Sequence, residues 1–79
     1  MRLVTIYIEN AEGDHYVEHD YNLDNIAHIS WTFRHGEITG GMLDYVNGKK
    51  EVISSRVAGK LYAQIRAWQR TESLADLSN

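Results

Sequence analysis

Residues 55–71, SRVAGKLYAQIRAWQRT, constrain the fold more than any other stretch. Val57, Leu61, Ile65 and Trp68 recur at helical spacing and form one apolar stripe. Arg56, Lys60, Arg66 and Arg70 fall in an arc on the opposite side. A helix of this kind draws most of its stability from packing its apolar stripe on a partner surface. The residues before it read as strands and turns, so that surface is a sheet. The expected fold is therefore α+β: a small antiparallel sheet of about five strands with one C-terminal amphipathic helix packed on one face.

The strands are legible from alternation. In residues 3–10, Val4, Ile6 and Ile8 alternate with Thr5, Tyr7 and Glu9. Residues 15–21 follow a turn signal at Ala11-Glu12-Gly13-Asp14. A two-residue loop at Glu12-Gly13 pairs Ile8 with Val17, Ile6 with His19 and Val4 with Tyr21. That register gathers most of the apolar side chains on one face and leaves Tyr7, Glu9, Tyr16, Glu18 and Asp20 on the other. A slip of one residue scatters both sets. Asn22 is placed to cap a short helical turn before the next strand, and an irregular crossover fits residues 22–27 equally.

Residues 29–34 alternate Ile29, Trp31 and Phe33 with Ser30, Thr32 and Arg34. A turn at His35-Gly36 pairs Arg34 with Glu37, Phe33 with Ile38, Thr32 with Thr39 and Trp31 with Gly40. Gly40-Gly41 reads as a bulge or bend, and a strand resumes at 42–46. Asn47-Gly48 is the strongest hairpin signal in the chain. A type I′ turn there sets Leu43 against Val52 and Asp44 against Glu51. Ser54 or Ser55 caps the helix. Gly59 weakens its first turns by roughly 1 kcal/mol relative to alanine, and also offers a close approach to the sheet.

A chain of 79 residues makes one small domain. It is expected to span 1–72, with a flexible tail at 73–79 in which Leu74 and Leu77 are the docking candidates. Cysteine is absent, so no disulfide staples it. The apolar run at 3–8 is too short for a secretory signal, and no run approaches the ~20 apolar residues of a membrane helix. These features point to a cytoplasmic protein with no membrane partner. The formal charge of −3 hides an asymmetry. Residues 1–40 carry seven acids against Arg2 and Arg34, whereas the six bases of residues 41–79 outnumber their four acids.

No catalytic, metal or cofactor signature emerges. His15 and His19 are four apart on an expected strand, hence about 13 Å apart, too far for one ion at bonds of about 2.1 Å. His28 and His35 lie near opposite ends of the third strand. Asp44 and Glu51 form the one expected acid pair, but at a wet hairpin tip. Ser54 and Ser55 have no histidine beside them, and Gly40-Gly41 lacks the lysine and helix of a phosphate loop.

Two surfaces remain. The acidic, tyrosine-bearing face of Tyr7, Glu9, Tyr16, Glu18 and Asp20 suits a basic protein surface, through arginine stacking and charged hydrogen bonds. Dense negative charge also competes for phosphate-binding grooves. Small acidic α+β proteins of phages and mobile elements act on host nucleic-acid machinery in this way, an analogy of size and charge alone. The favoured expectation is a non-enzymatic protein-binding module, an inhibitor or decoy of a nucleic-acid-binding enzyme or complex. The basic helix face of Arg56, Lys60, Arg66 and Arg70 supports a second expectation, nucleic-acid association, which the overall acidity disfavours. A structural homodimer joined through the edge of residues 3–10 is the third.

Overall fold

A computed structural model describes the backbone of residues 2–78 and the side chains of residues 2–70. Strand β1 (Leu3–Glu9) pairs antiparallel with β2 (Tyr16–Asn22) as a two-stranded sheet. Strands β3 (Ile26–Arg34), β4 (Glu37–Tyr45) and β5 (Lys50–Ile53) form a second sheet in the order β3-β4-β5. Helix α1 (Ser55–Ser78) packs on both. The α+β architecture expected from the sequence is present, with its five strands divided between two sheets. The tail expected at 73–79 lies outside the fully described residues.

The first hairpin has the expected register: Val4 faces Tyr21, Ile6 faces His19 and Ile8 faces Val17. Its loop is longer than two residues. The Asn10 amide donates to the His15 carbonyl at 2.9 Å, and the Asn10 side-chain oxygen accepts the Gly13 amide at 2.8 Å. Unpairing equal numbers of residues on both arms lengthens a loop without moving the register. Burial fades toward this loop: Val4 and Ile6 are buried, Ile8 is half-buried and Val17 is exposed.

The ambiguous stretch is a single 3-10 turn (Leu23–Asn25), and the Asn22 side chain accepts the Asp24 amide as its cap. At the next turn His35 and Gly36 both have positive φ, 53° and 80°, the requirement of a type I′ turn. Arg34 faces Glu37 and Phe33 faces Ile38, as expected. Beyond them the pairing shifts by one. Thr32 faces Gly40 rather than Thr39, and Trp31 faces Gly41 rather than Gly40. Thr39 is the extra residue of a bulge, and its hydroxyl donates to the Thr32 carbonyl at 3.3 Å.

The third hairpin corrects a second register. The Gly48 amide donates to the Tyr45 carbonyl, the Tyr45 amide donates to the Lys49 carbonyl, and φ is positive at Gly48 but not at Asn47. This is a type I turn closed by a glycine bulge, a three-residue loop in place of the expected two-residue one. Asn47 favours it by accepting the Lys49 amide on its side-chain oxygen at 3.0 Å. Asp44 consequently faces Lys50, and Leu43 faces Glu51. The expected pairs Asp44–Glu51 and Leu43–Val52 do not form. Ile53 turns into the core, whereas Val52 is 77% exposed.

Ser54 is the helix cap: its hydroxyl accepts the Val57 amide and its carbonyl accepts the Ala58 amide. The core joins Val4, Ile6 and Tyr21 from the first sheet to Leu43 and Ile53 from the second through Val57, Ala58 and Leu61 of α1. Ile65 and Trp68 pack partly against it. Tyr62 meets Trp31 and Phe33 edge-on at 5.2 and 5.7 Å between ring centres. The residue in close contact here is Ala58, not Gly59. A Cβ built on Gly59 meets nothing within 4 Å. Gly59→Ala is therefore expected to stabilise the fold by roughly 1 kcal/mol, raising the thermal midpoint by about 4–8 °C. Thermal unfolding followed by circular dichroism measures this, and an unchanged or lower midpoint rejects the packing described at that turn.

Candidate protein-binding face

The first hairpin's register places Tyr7 opposite Glu18, Glu9 opposite Tyr16 and Thr5 opposite Asp20. All five expected contact residues, Tyr7, Glu9, Tyr16, Glu18 and Asp20, therefore share one face, and all are exposed. It is the face turned away from α1, since the alternate positions Val4, Ile6 and Tyr21 are the buried ones. Tyr7 and Tyr16 meet edge to face at 5.5 Å between centres. The Thr5 hydroxyl donates to Asp20 at 2.7 Å. The Glu18 charge and its hydrogen bond raise the pKa of Tyr7, so that phenol stays a neutral donor at ordinary pH. Among the described residues, no cation forms an ion pair with Glu9, Glu18 or Asp20.

The basic helix face is less uniform than its spacing implies. Arg56, Lys60, Arg66 and Arg70 are all exposed. Lys60, however, donates through Nζ to the Tyr7 carbonyl at 2.7 Å. Arg66 lies 4.8 Å over the Tyr62 ring and donates to the Gln69 side chain at 2.7 Å. Two of the four bases are thus already engaged within the fold.

The remaining candidates separate. Asp44 and Glu51 sit on opposite faces of their sheet, so the expected acid pair is replaced by two unrelated contacts. Asp44 lies 3.2 Å from Lys50 Nζ and 3.3 Å from His28 Nδ1, and these partners hold its carboxyl below the usual range. Glu51 reaches the junction of the two sheets. It accepts a hydrogen bond from the Tyr45 hydroxyl at 2.7 Å, and the Tyr21 hydroxyl approaches at 3.5 Å. His15 lies beside Asp14 in the first loop, and His19 stacks on Tyr21. Among the described residues no three such side chains converge to hold a metal ion.

Burial, reinforced by Glu51, pushes the Tyr45 phenol up to about 12 from 10. A phenol whose folded pKa is raised contributes stability that is complete below its unfolded pKa and lost as pH rises through its folded one. The contribution of Tyr45 should therefore be intact below pH 10 and vanish as pH climbs to about 12. In an ultraviolet titration, Tyr45 should be the last phenol to ionise, and Tyr45→Phe should remove that final step. Ionisation of Tyr45 together with the surface phenols would contradict the packing at Glu51.

Sequence reasoning missed a groove of about 350 Å³ between the free edge of β1 and α1, lined by Thr5, Tyr7, Lys60, Ala63, Gln64 and Ala67. Its one sequence signal is the pair of alanines one turn apart on an otherwise polar flank. Fold and face together define a class, a two-sheet α+β protein with a bare acidic hairpin. The chain matches no family model, no curated protein and no solved structure. Among the described residues, no helix is long and apolar enough to cross a membrane.

Proposed function

We propose that this chain is a non-enzymatic protein-binding module that engages a basic protein surface through Tyr7, Glu9, Tyr16, Glu18 and Asp20. The observation that carries the reading is the gathering, on one side of the hairpin, of two exposed phenol rings and three carboxylates that have no ion-pair partner among the described residues. Tyrosine adds contact area at small conformational cost, and a guanidinium can lie on its ring while bonding a neighbouring carboxylate. A phosphate-binding groove is the basic surface such a face best imitates, because its field draws in dense negative charge. An inhibitor or decoy of a nucleic-acid-processing complex is the corresponding role. The competing nucleic-acid reading through Arg56, Lys60, Arg66 and Arg70 is weaker, because Lys60 and Arg66 are engaged within the fold.

Affinity purification from the native host, with quantitative mass spectrometry, tests the proposal. Wild type is compared with a triple variant, Glu9→Lys, Glu18→Lys and Asp20→Lys, whose folding is checked by circular dichroism. The specific partner should be lost with the triple variant. Equal recovery of every partner by both proteins removes this face from consideration.

A further inference from the structure

The edge of β1 is an open ladder, and its surroundings say what it accepts. The Arg2 carbonyl accepts the Leu23 amide and the Asn10 amide donates to the His15 carbonyl, so both ends of the strand bond across the hairpin. Backbone direction alternates along an antiparallel strand. The even positions of β1 therefore face β2, and the amides and carbonyls of Thr5 and Tyr7 face away from it. The Tyr7 carbonyl accordingly accepts Lys60 Nζ at 2.7 Å. That lysine covers one acceptor of an edge that is otherwise open among the described residues, a common way of blunting one. Beyond the edge lies the groove floored by Ala63 and Ala67.

We infer that the partner supplies an extended segment that adds to β1 as a further strand, with basic side chains on the acidic face and small apolar side chains over Ala63 and Ala67. The inference rests on the protein-binding reading above and specifies the chemistry of its partner. An added strand presents its side chains alternately to the two sides of the sheet. Those on the outer side come beside Thr5, Tyr7 and Glu9, with Glu18 and Asp20 beyond, where arginine finds rings and carboxylates that have no ion-pair partner among the described residues. Those on the inner side meet two exposed alanines, which leave room for valine or alanine. A second copy of this chain fits poorly. Edge-to-edge pairing of two β1 strands sets Glu9, Glu18 and Asp20 of both copies on one continuous face, and like charges repel.

The test uses the full chain and three end-blocked peptides of one composition. The first alternates arginine and valine over the length of β1. The second carries the same residues with the arginines in one block. The third is the first with alternate backbone amides N-methylated. The alternating peptide should bind roughly tenfold more tightly than either control, because only it forms the ladder bonds with both faces satisfied. The amide signals of Thr5 and Tyr7 should shift and become protected from exchange. Lys60→Met, which removes the edge cover and a like charge, should tighten binding several-fold. Equal binding of all three peptides, with the signals of Tyr16 and Glu18 moving and those of Thr5 and Tyr7 fixed, overturns strand addition while leaving the acidic face as a contact surface. No binding of any peptide at low salt overturns both. Weaker binding by Lys60→Met, or a dimer in sedimentation with the Thr5 amide already protected, overturns the assignment of this edge to a basic partner.

Discussion

Leu61→Ala is expected to destabilise the protein by about 3 kcal/mol. Leu61 is fully buried, and its cluster draws Val4 and Ile6 from one sheet and Leu43 and Ile53 from the other. Neither sheet is large enough to bury its own apolar face, so the helix side chain at their junction joins two layers at once. Truncation removes the transfer energy of the lost methyl groups and leaves a cavity that the two sheets close incompletely. A chain of this length has roughly 4–12 kcal/mol of stability in total. One substitution therefore removes a large share, and the thermal midpoint should fall by more than about 10 °C. Denaturant and thermal unfolding both measure it. A loss under about 1 kcal/mol would mean that the helix does not seat there, and the assignment of the outer hairpin face would fall with it.

Gly41→Ala is the second large effect. A Cβ at Gly41 lies 2.8 Å from the Ser30 carbonyl oxygen and 3.3 Å from two side-chain carbons of Ile53. The carbonyl belongs to the neighbouring strand, so relief requires β3 and β4 to part or Ile53 to leave its buried position. Overpacking of this kind costs about 1–3 kcal/mol. The adjacent Gly40 supplies the control. Its Cβ meets only the Ile53 carbonyl, at 3.4 Å, and alanine also reduces the freedom of the unfolded chain. Gly40→Ala should therefore be nearly neutral. The ordering of the pair is the decisive readout: a Gly40 variant less stable than the Gly41 variant would place the bulge one residue away from Thr39.

The candidate face was legible in advance because everything that builds it is local. Alternation in β1 and β2 assigns each side chain to a face, and apolar matching excludes the slipped register. The face is acidic for the same reason, since Glu9, Glu18 and Asp20 all fall on the non-core parity. The groove beside it was not legible, because it needs α1 to lie along β1, a contact between residues far apart in sequence. Lys60 shows the difference well. Its helical spacing groups it with Arg56, Arg66 and Arg70, yet its ammonium is committed to the Tyr7 carbonyl.

The amino-acid order by itself determined the α+β class, the first hairpin's pairing, the His35-Gly36 turn and the core-facing stripe of the helix, whereas at residues 22–27 it left a capped turn and an irregular crossover open. Tertiary structure alone decided the partners of Asp44 and Glu51, the pairing around Trp31 and the division into two sheets. Asn47-Gly48 serves two turn geometries that differ by one residue, and a double glycine admits a bulge on either side. Local propensity leaves each of these choices nearly degenerate. They are settled only when Ile53 packs into the core, Lys50 meets Asp44, and Glu51 finds the hydroxyls of Tyr21 and Tyr45 between the sheets.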